Sequence, residues 1–174
     1  FAPKVRLFTL PYMMLSAEQA RTLAEGPIGE ELVASTIKAA GVRIIAWSYS
    51  GYRVLSNSKR PIKYVKDLKG LTIRVPKNNI MISTYKAWGI NPTPMAWSET
   101  FTALQQGVVD GQDNPYITNH AMKFYEVQKY ITNIRYIFSL EPLIISEAVF
   151  QDQKPAVQQA ILDAGREATL HSEA

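Results

Sequence analysis

The chain has 174 residues, 47% of them apolar and 20% charged, which is the balance of an ordinary globular protein with room for one sizeable core or two smaller lobes. It contains no cysteine, which excludes a disulfide frame and any thiolate metal site. The formal charge of +4 is mild, and its basic residues are scattered except for Lys59, Arg60, Lys63, Lys66 and Lys69, so no stripe suited to nucleic acid is present.

Ser16 followed by Gln19 predicts a capping box for a helix to about Ala24, broken by Gly26, Pro27 and Gly29. Glu30 to Ala40 places Leu32, Val33, Thr36, Ile37 and Ala40 on one helical face, and Gly41 closes it. "VRIIAW" (42–47) reads as a buried strand leading into a turn at "SYSGYR", after which "VLSNS" is extended and "RPIKYVKDLKG" carries an exposed turn and a short helix. In "LTIRVP" the residues Leu71, Ile73 and Val75 share one face at period two, which puts Thr72 and Arg74 on the face opposite the core, and Pro76 ends the strand. Asn78 or Asn79 caps a helix that runs to Trp88 and stops at Gly89. "NPTPMAW" reads as an extended proline-rich linker, and Ser98 as the cap of a helix to about Gln106. "VVDG" is then a short strand, "QDNP" a turn, and Tyr116 to Tyr130 largely helical. "IRYIFSL" alternates, "LIIS" continues it, and from Lys154 onward Val157, Ala160, Ile161, Ala164 and Ala168 trace one face of an amphipathic helix. Strands alternating with helices predict an α/β protein with parallel strands and ligand sites at their C-terminal ends.

No stretch approaches the roughly 18 apolar residues of a membrane span, so the chain is not expected to cross one. It opens on Phe1 without an initiator methionine or signal pattern and stops within a helical pattern, and is therefore expected to be a fragment or a processed product. His120 and His171 are the only histidines, and neither has a partner at metal-ligand spacing. No GxSxG elbow and no phosphate-binding glycine loop is present, so neither a metal, a cofactor nor catalysis is expected. What stands out is a set of polar groups at strand or turn ends: Arg53, Arg74, Asn114 and, closing the proline-rich segment, Trp97. Two planar guanidinium forks, an amide and an indole suit a small carboxylate. Each alone also has an ordinary structural role, and composition and spacing lead only to an α/β domain that can bind an anion.

The blocks "DLKGLTIRVP", "NPTPMAWSETFTALQQGVVDGQDNP" and "KFYEVQKY", in this order, together with "FTLPYM", "GYRVLSNSKRPI" and "KPAVQQAILDAGREA", resemble the solute-binding proteins of tripartite ATP-independent periplasmic (TRAP) transporters, the DctP-like family. The likeness covers nearly the whole chain. It implies a periplasmic-binding-protein type of α/β fold, two lobes joined by hinge strands with a long C-terminal helix, of which the first βα units and the helix end are missing here. Expected boundaries are 1–50 for part of the first lobe, 51–139 for the second, and 140–174 for the return to the first lobe and the start of the long helix. The implied function is capture of an organic acid in the periplasm and delivery to a TRAP membrane permease. A ligand-sensing regulatory domain of similar fold, and an enzyme built on it, are the competing readings. By resemblance, Arg74 is the principal carboxylate-binding arginine, Arg53 the second arginine, Asn114 the asparagine of the "GQ-acid-NP" segment, and Trp97 the aromatic beside the main arginine. Tyr136 stands where relatives often have histidine and is expected to help choose the ligand. Monocarboxylates, dicarboxylates and sugar acids all remain open as ligands.

Overall fold

The computed structural model describes residues 3–173. Seven helices are named in chain order: α1 (Ala17–Glu25), α2 (Pro27–Ala40), α3 (Asn79–Ala87), α4 (Thr100–Gln105), α5 (Tyr116–Ala121), α6 (Glu147–Gln151) and α7 (Pro155–Glu173). The strands are β1 (Val42–Asn57), β2 (Thr72–Val75), β3 (Asn91–Pro94), β4 (Gly111–Pro115), β5 (Tyr130–Thr132) and β6 (Phe138–Ser146). The chain divides into two compact units. One gathers the chain up to Phe8, Met13–Gly51 and the chain from Phe138 onward; the other gathers Thr9–Tyr12 and Tyr52–Ile137.

In the first unit Ser16 caps α1 as the sequence predicts, Gln19 N donating to Ser16 Oγ at 3.1 Å, but the Gln19 side chain reaches one residue further back than in a capping box and accepts from Leu15 N at 2.9 Å. α2 starts three residues earlier than expected, at Pro27, because proline is tolerated in a first helical turn. Gly29 does not break the helix; a Cβ there would sit 1.8 Å from the Ala24 carbonyl oxygen, so glycine lets α1 and α2 pack closely. Gly41, at φ +64°, closes α2 in the left-handed conformation and donates to Ile37 O at 2.9 Å. β6 pairs with β1, and α7 lies against β1 by a face other than the apolar stripe read from the sequence. Val157, Ala160, Ala164 and Ala168 are exposed, whereas Gly165 and Thr169 are buried. Gly165 fits against the Ile45 backbone, and the hydroxyls of Thr169 and Ser172 accept from Trp47 N and Tyr49 N, each at 3.2 Å. The helix therefore accepts hydrogen bonds from two backbone donors of β1.

β1 also departs from the sequence reading. It is one strand of 16 residues that contributes to both units, and the expected turn at "SYSGYR" is absorbed by Gly51 at φ +85°, a conformation glycine adopts without steric penalty.

The second unit carries a mixed sheet in the order β3-β2-β4-β1-β5. β2 runs parallel to β3 and β4, whereas β1 runs antiparallel to β4 and β5, so the all-parallel expectation is corrected. The segment read as a linker is the edge strand β3. Asn91 N donates to Leu71 O at 2.8 Å and Met95 N to Val75 O at 3.1 Å, while Pro92 and Pro94 fall at alternate positions where an edge strand needs no donor. Ser98 caps nothing; Trp97–Glu99 form a 3-10 turn ahead of α4. Asn78 caps α3, its Oδ1 accepting from Ile80 N at 2.9 Å and Met81 N at 3.2 Å. The predicted strand "VVDG" and turn "QDNP" exchange places: the strand is Gly111–Pro115, and it is buried along its whole length. Residues 116–130 hold the short helix α5 and a 3-10 turn at Phe124–Glu126 rather than one long helix. One face of the sheet buries Leu55, Leu71, Ile73, Val75, Met81, Tyr85, Ile90, Tyr136 and Ile137, and a second cluster joins Ala103, Leu104, Val109 and Phe124.

Candidate functional site

All five residues singled out in the sequence lie in the second unit, and strand register sorts them. β2 and β4 are parallel, with Arg74 opposite Gln112, so Arg74, Gln112 and Asn114 belong to one face of the sheet. Arg53 pairs with Pro115 and Leu55 with Asp113 across β1 and β4, which assigns Arg53 and Asp113 to the other face. Both arginines and Asn114 therefore sit at the same end of the sheet, where β2 and β4 finish.

Arg74 is 3% exposed, so the strand is buried on both faces and the expectation of a half-buried strand is corrected. Its Nη2 donates to Met95 O at 2.9 Å, and its guanidinium carbon lies 5.5 Å from the centre of the Trp97 ring. Among the described residues its buried Nε has no hydrogen-bond partner, and no carboxylate pairs with it. Burial holds its pKa below the ordinary arginine value; Asp113 opposes that shift and the positive charge of Arg53 adds to it. A guanidinium stays protonated under such conditions, and a buried, under-neutralised one is a strong attractor for an anion. Trp97 is 41% exposed and meets Phe124 edge-on with ring centres 5.8 Å apart, so it is both a wall for Arg74 and an accessible surface.

Arg53 is in a different state. Its Nε donates to Asp113 Oδ2 at 2.7 Å and its Nη2 to the Asp113 carbonyl. Burial disfavours the cation at Arg53, but the Asp113 carboxylate more than offsets this and raises its pKa above the ordinary value. The Tyr136 hydroxyl donates to the same Asp113 Oδ2 at 2.5 Å and lies 3.4 Å from the Tyr85 hydroxyl. Burial, reinforced by the charge of Asp113, pushes both phenols well above their ordinary range, so they remain neutral donors. Tyr136 is fully buried, packed edge-on to both Tyr85 and Trp88.

Asn114 belongs to a chain of amides. Gln112 Nε2 donates to Ser56 Oγ at 2.8 Å and to Asn119 Oδ1 at 2.7 Å, so Gln112 Oε1 is left as an acceptor, and it takes Asn114 Nδ2 at 2.5 Å. Asn119 Nδ2 returns a bond to Asn114 O at 3.1 Å. These donors and acceptors fix the amide orientation of Asn114 and leave its Oδ1 outside the chain.

Asp113 and Gln112 are the residues that sequence reasoning missed. The available signal was three polar residues in succession between a glycine and a proline, next to two strand-end arginines. Among the described residues no group of three or more His, Asp or Glu is arranged to hold a metal ion, and no helix is long and apolar enough to cross a membrane.

The model of the bacterial extracellular solute-binding proteins, family 7 (DctP), matches residues 1–173. A solute-binding protein of Verminephrobacter eiseniae is 41% identical over 167 residues, which is 96% of this chain and 50% of that protein. The chain thus spans about half the length of the curated relatives it matches. A TRAP periplasmic solute-binding protein from Polaromonas sp. JS666, solved with D-erythronate, superposes with a TM-score of 0.95 at 37% identity, over 99% of this chain and 57% of that one. One from Roseobacter denitrificans, solved with L-galactonate, gives 0.94 at 37% identity, with the same 99% and 57% coverage. The α/β architecture is accordingly of the periplasmic-binding-protein type. A match that runs from the first residue almost to the last places this chain in the DctP family of extracellular solute-binding proteins.

Proposed function

We propose that the protein to which this chain belongs captures a small hydroxylated monocarboxylate in the periplasm and delivers it, unchanged, to the membrane permease of a TRAP transporter. The observation that carries the reading is Arg74: buried, held by Met95 O and Trp97, and with an unpartnered Nε. The acid's carboxylate docks on the Arg74 guanidinium, each charge-assisted bond contributing about 1.5–3 kcal/mol net. Asp113 neutralises Arg53, so one unmatched positive charge is left to be met by one carboxylate. Asn114 adds a bond to a ligand hydroxyl through its Oδ1, and Trp97 excludes water from the ion pair. Tyr136 acts by positioning: its hydroxyl is engaged by Asp113, so it influences the ligand through the Arg53–Asp113 pair. The erythronate and galactonate held by the two relatives are polyhydroxy monocarboxylates and support this ligand class.

A thermal-shift screen of the intact protein against aldonates, uronates, simple monocarboxylates and C4-dicarboxylates tests the reading, because a ligand that binds only the folded state raises the melting temperature by mass action. Hydroxylated monocarboxylates are expected to give the largest shifts. Stabilisation by C4-dicarboxylates alone, or by no acid, would overturn it.

A further inference from the structure

A second feature of the same unit lies outside the acid site. Residues 58–70 contain five basic residues, Lys59, Arg60, Lys63, Lys66 and Lys69, against the single acid Asp67, a formal charge of +4 that equals the net charge of the entire 174-residue chain. The other residues of the protein are therefore balanced, and the excess charge is concentrated in one segment. The segment is firmly built. Asn57 Oδ1 accepts from Lys59 N and Arg60 N, each at 2.9 Å. The Asp67 carboxylate accepts from Lys63 N at 3.0 Å and Tyr64 N at 2.9 Å, and these backbone bonds hold its pKa below the ordinary value. Arg60 ties the two ends together by donating to Asp67 O at 2.9 Å and Lys69 O at 2.7 Å. Between them Tyr64 and Val65 stand 66% and 65% exposed, with the Lys66 ammonium 5.4 Å from the centre of the Tyr64 ring.

An exposed, hydrogen-bonded segment carrying one aromatic and one aliphatic side chain among several exposed lysines has the chemistry of a membrane interface: apolar side chains enter the headgroup boundary while ammonium groups meet lipid phosphates. We propose that this segment is a docking patch for an anionic phospholipid surface, which holds the binding protein close to the bilayer. The basic cluster alone would also attract an acidic protein, but the exposed Tyr64–Val65 pair within the same segment favours a bilayer. Lys59 is partly engaged by Asp110 at 3.3 Å, and Arg60 is committed to backbone carbonyls, so Lys63, Lys66 and Lys69 carry most of the attraction.

The test is vesicle co-sedimentation of the intact protein with phosphatidylcholine alone and with phosphatidylcholine containing phosphatidylglycerol, at low and physiological salt. Binding is expected only to the anionic vesicles and is expected to weaken as salt rises. The double variant Lys63→Gln, Lys66→Gln should lose about 25-fold in partitioning, roughly five-fold per lysine near a charged surface. Val65→Ser should lose several-fold while keeping the salt dependence. Neither variant touches the acid site, so stabilisation by an aldonate should be unchanged in both. No association with anionic vesicles, equal association with neutral ones, or an unaltered double variant would overturn the proposal, and each outcome is independent of whether Arg74 binds an acid. An acidic protein partner would appear as the first of these results.

Discussion

Asp113→Asn removes one charge from the buried centre of the second unit and leaves its shape almost unchanged. In the native protein the Asp113 side chain is fully buried, Arg53 is 13% exposed, and 2.7 Å separates their charged atoms. The substitution removes the Asp113 charge from beside the Arg53 guanidinium in a largely dry environment, and losing one member of a buried pair costs about 3–5 kcal/mol. The new amide oxygen still accepts from Arg53 Nε or from the Tyr136 hydroxyl, which returns about 1 kcal/mol. The net expectation is therefore a loss of roughly 2–4 kcal/mol. Urea unfolding followed by fluorescence measures it, as a lower midpoint at an unchanged slope. A loss below about 1 kcal/mol would refute the reasoning, because it would mean that Arg53 is solvated and does not depend on Asp113.

Three further expectations follow from the same physics. Tyr136→Phe deletes the hydroxyl that donates to Asp113 but keeps the packing of the ring, and should lower stability by about 1 kcal/mol and weaken acid binding only modestly; a loss of binding as large as that of an Arg74 variant would show direct ligand contact. Gly111→Ala would place a Cβ 2.0 Å from Ser56 O in the middle of the sheet, and a loss of about 1–3 kcal/mol is expected by urea unfolding. Glu147 is gripped by Arg43 through bonds of 2.7 and 2.8 Å, and this partner, helped by Gln151, holds its pKa below the ordinary carboxylate value. A depressed pKa means that the stabilisation is present above the unfolded value near ~4.3 and disappears as pH falls through the folded one, so native and Glu147→Gln proteins should differ by up to about 1 kcal/mol at neutral pH and converge in acid.

The elements that were legible in the sequence are those with local signals. The Ser16 cap, the Asn78 cap and the Gly41 terminus each satisfy their own backbone groups within a few residues, and all three form as read, although Gln19 accepts from Leu15 N rather than completing the box on Ser16. Misreadings occur where tertiary partners decide. β4 is made of Gly111, Gln112, Asp113, Asn114 and Pro115, a composition that suggests a turn, yet it is a buried strand whose Gln112 amide and Asp113 Oδ2 are bonded by Ser56, Asn119, Arg53 and Tyr136 from other elements. β3 reads as a linker because of its prolines, and their alternate spacing is compatible with a strand only once its place at the sheet edge is known. α7 turns its hydroxyl-bearing side rather than its alanine stripe toward β1, where Thr169 and Ser172 accept from the backbone of Trp47 and Tyr49. For the site, the residue types were visible in the sequence and their division of labour was not. Arg53 and Arg74 look alike along the chain, and it is the register of β4 that supplies Asp113 to Arg53 and leaves Arg74 with a carbonyl and an indole.

The central claim, that Arg74 receives the carboxylate, is tested most directly by calorimetric titration of the intact protein and its Arg74→Ala and Arg74→Lys variants with an aldonate. Loss of one charge-assisted contact should weaken binding by about 10-fold to 100-fold in Arg74→Ala. A substantial loss should persist in Arg74→Lys, which keeps the charge but not the planar fork. Affinity within twofold of the native protein in Arg74→Ala would contradict the account.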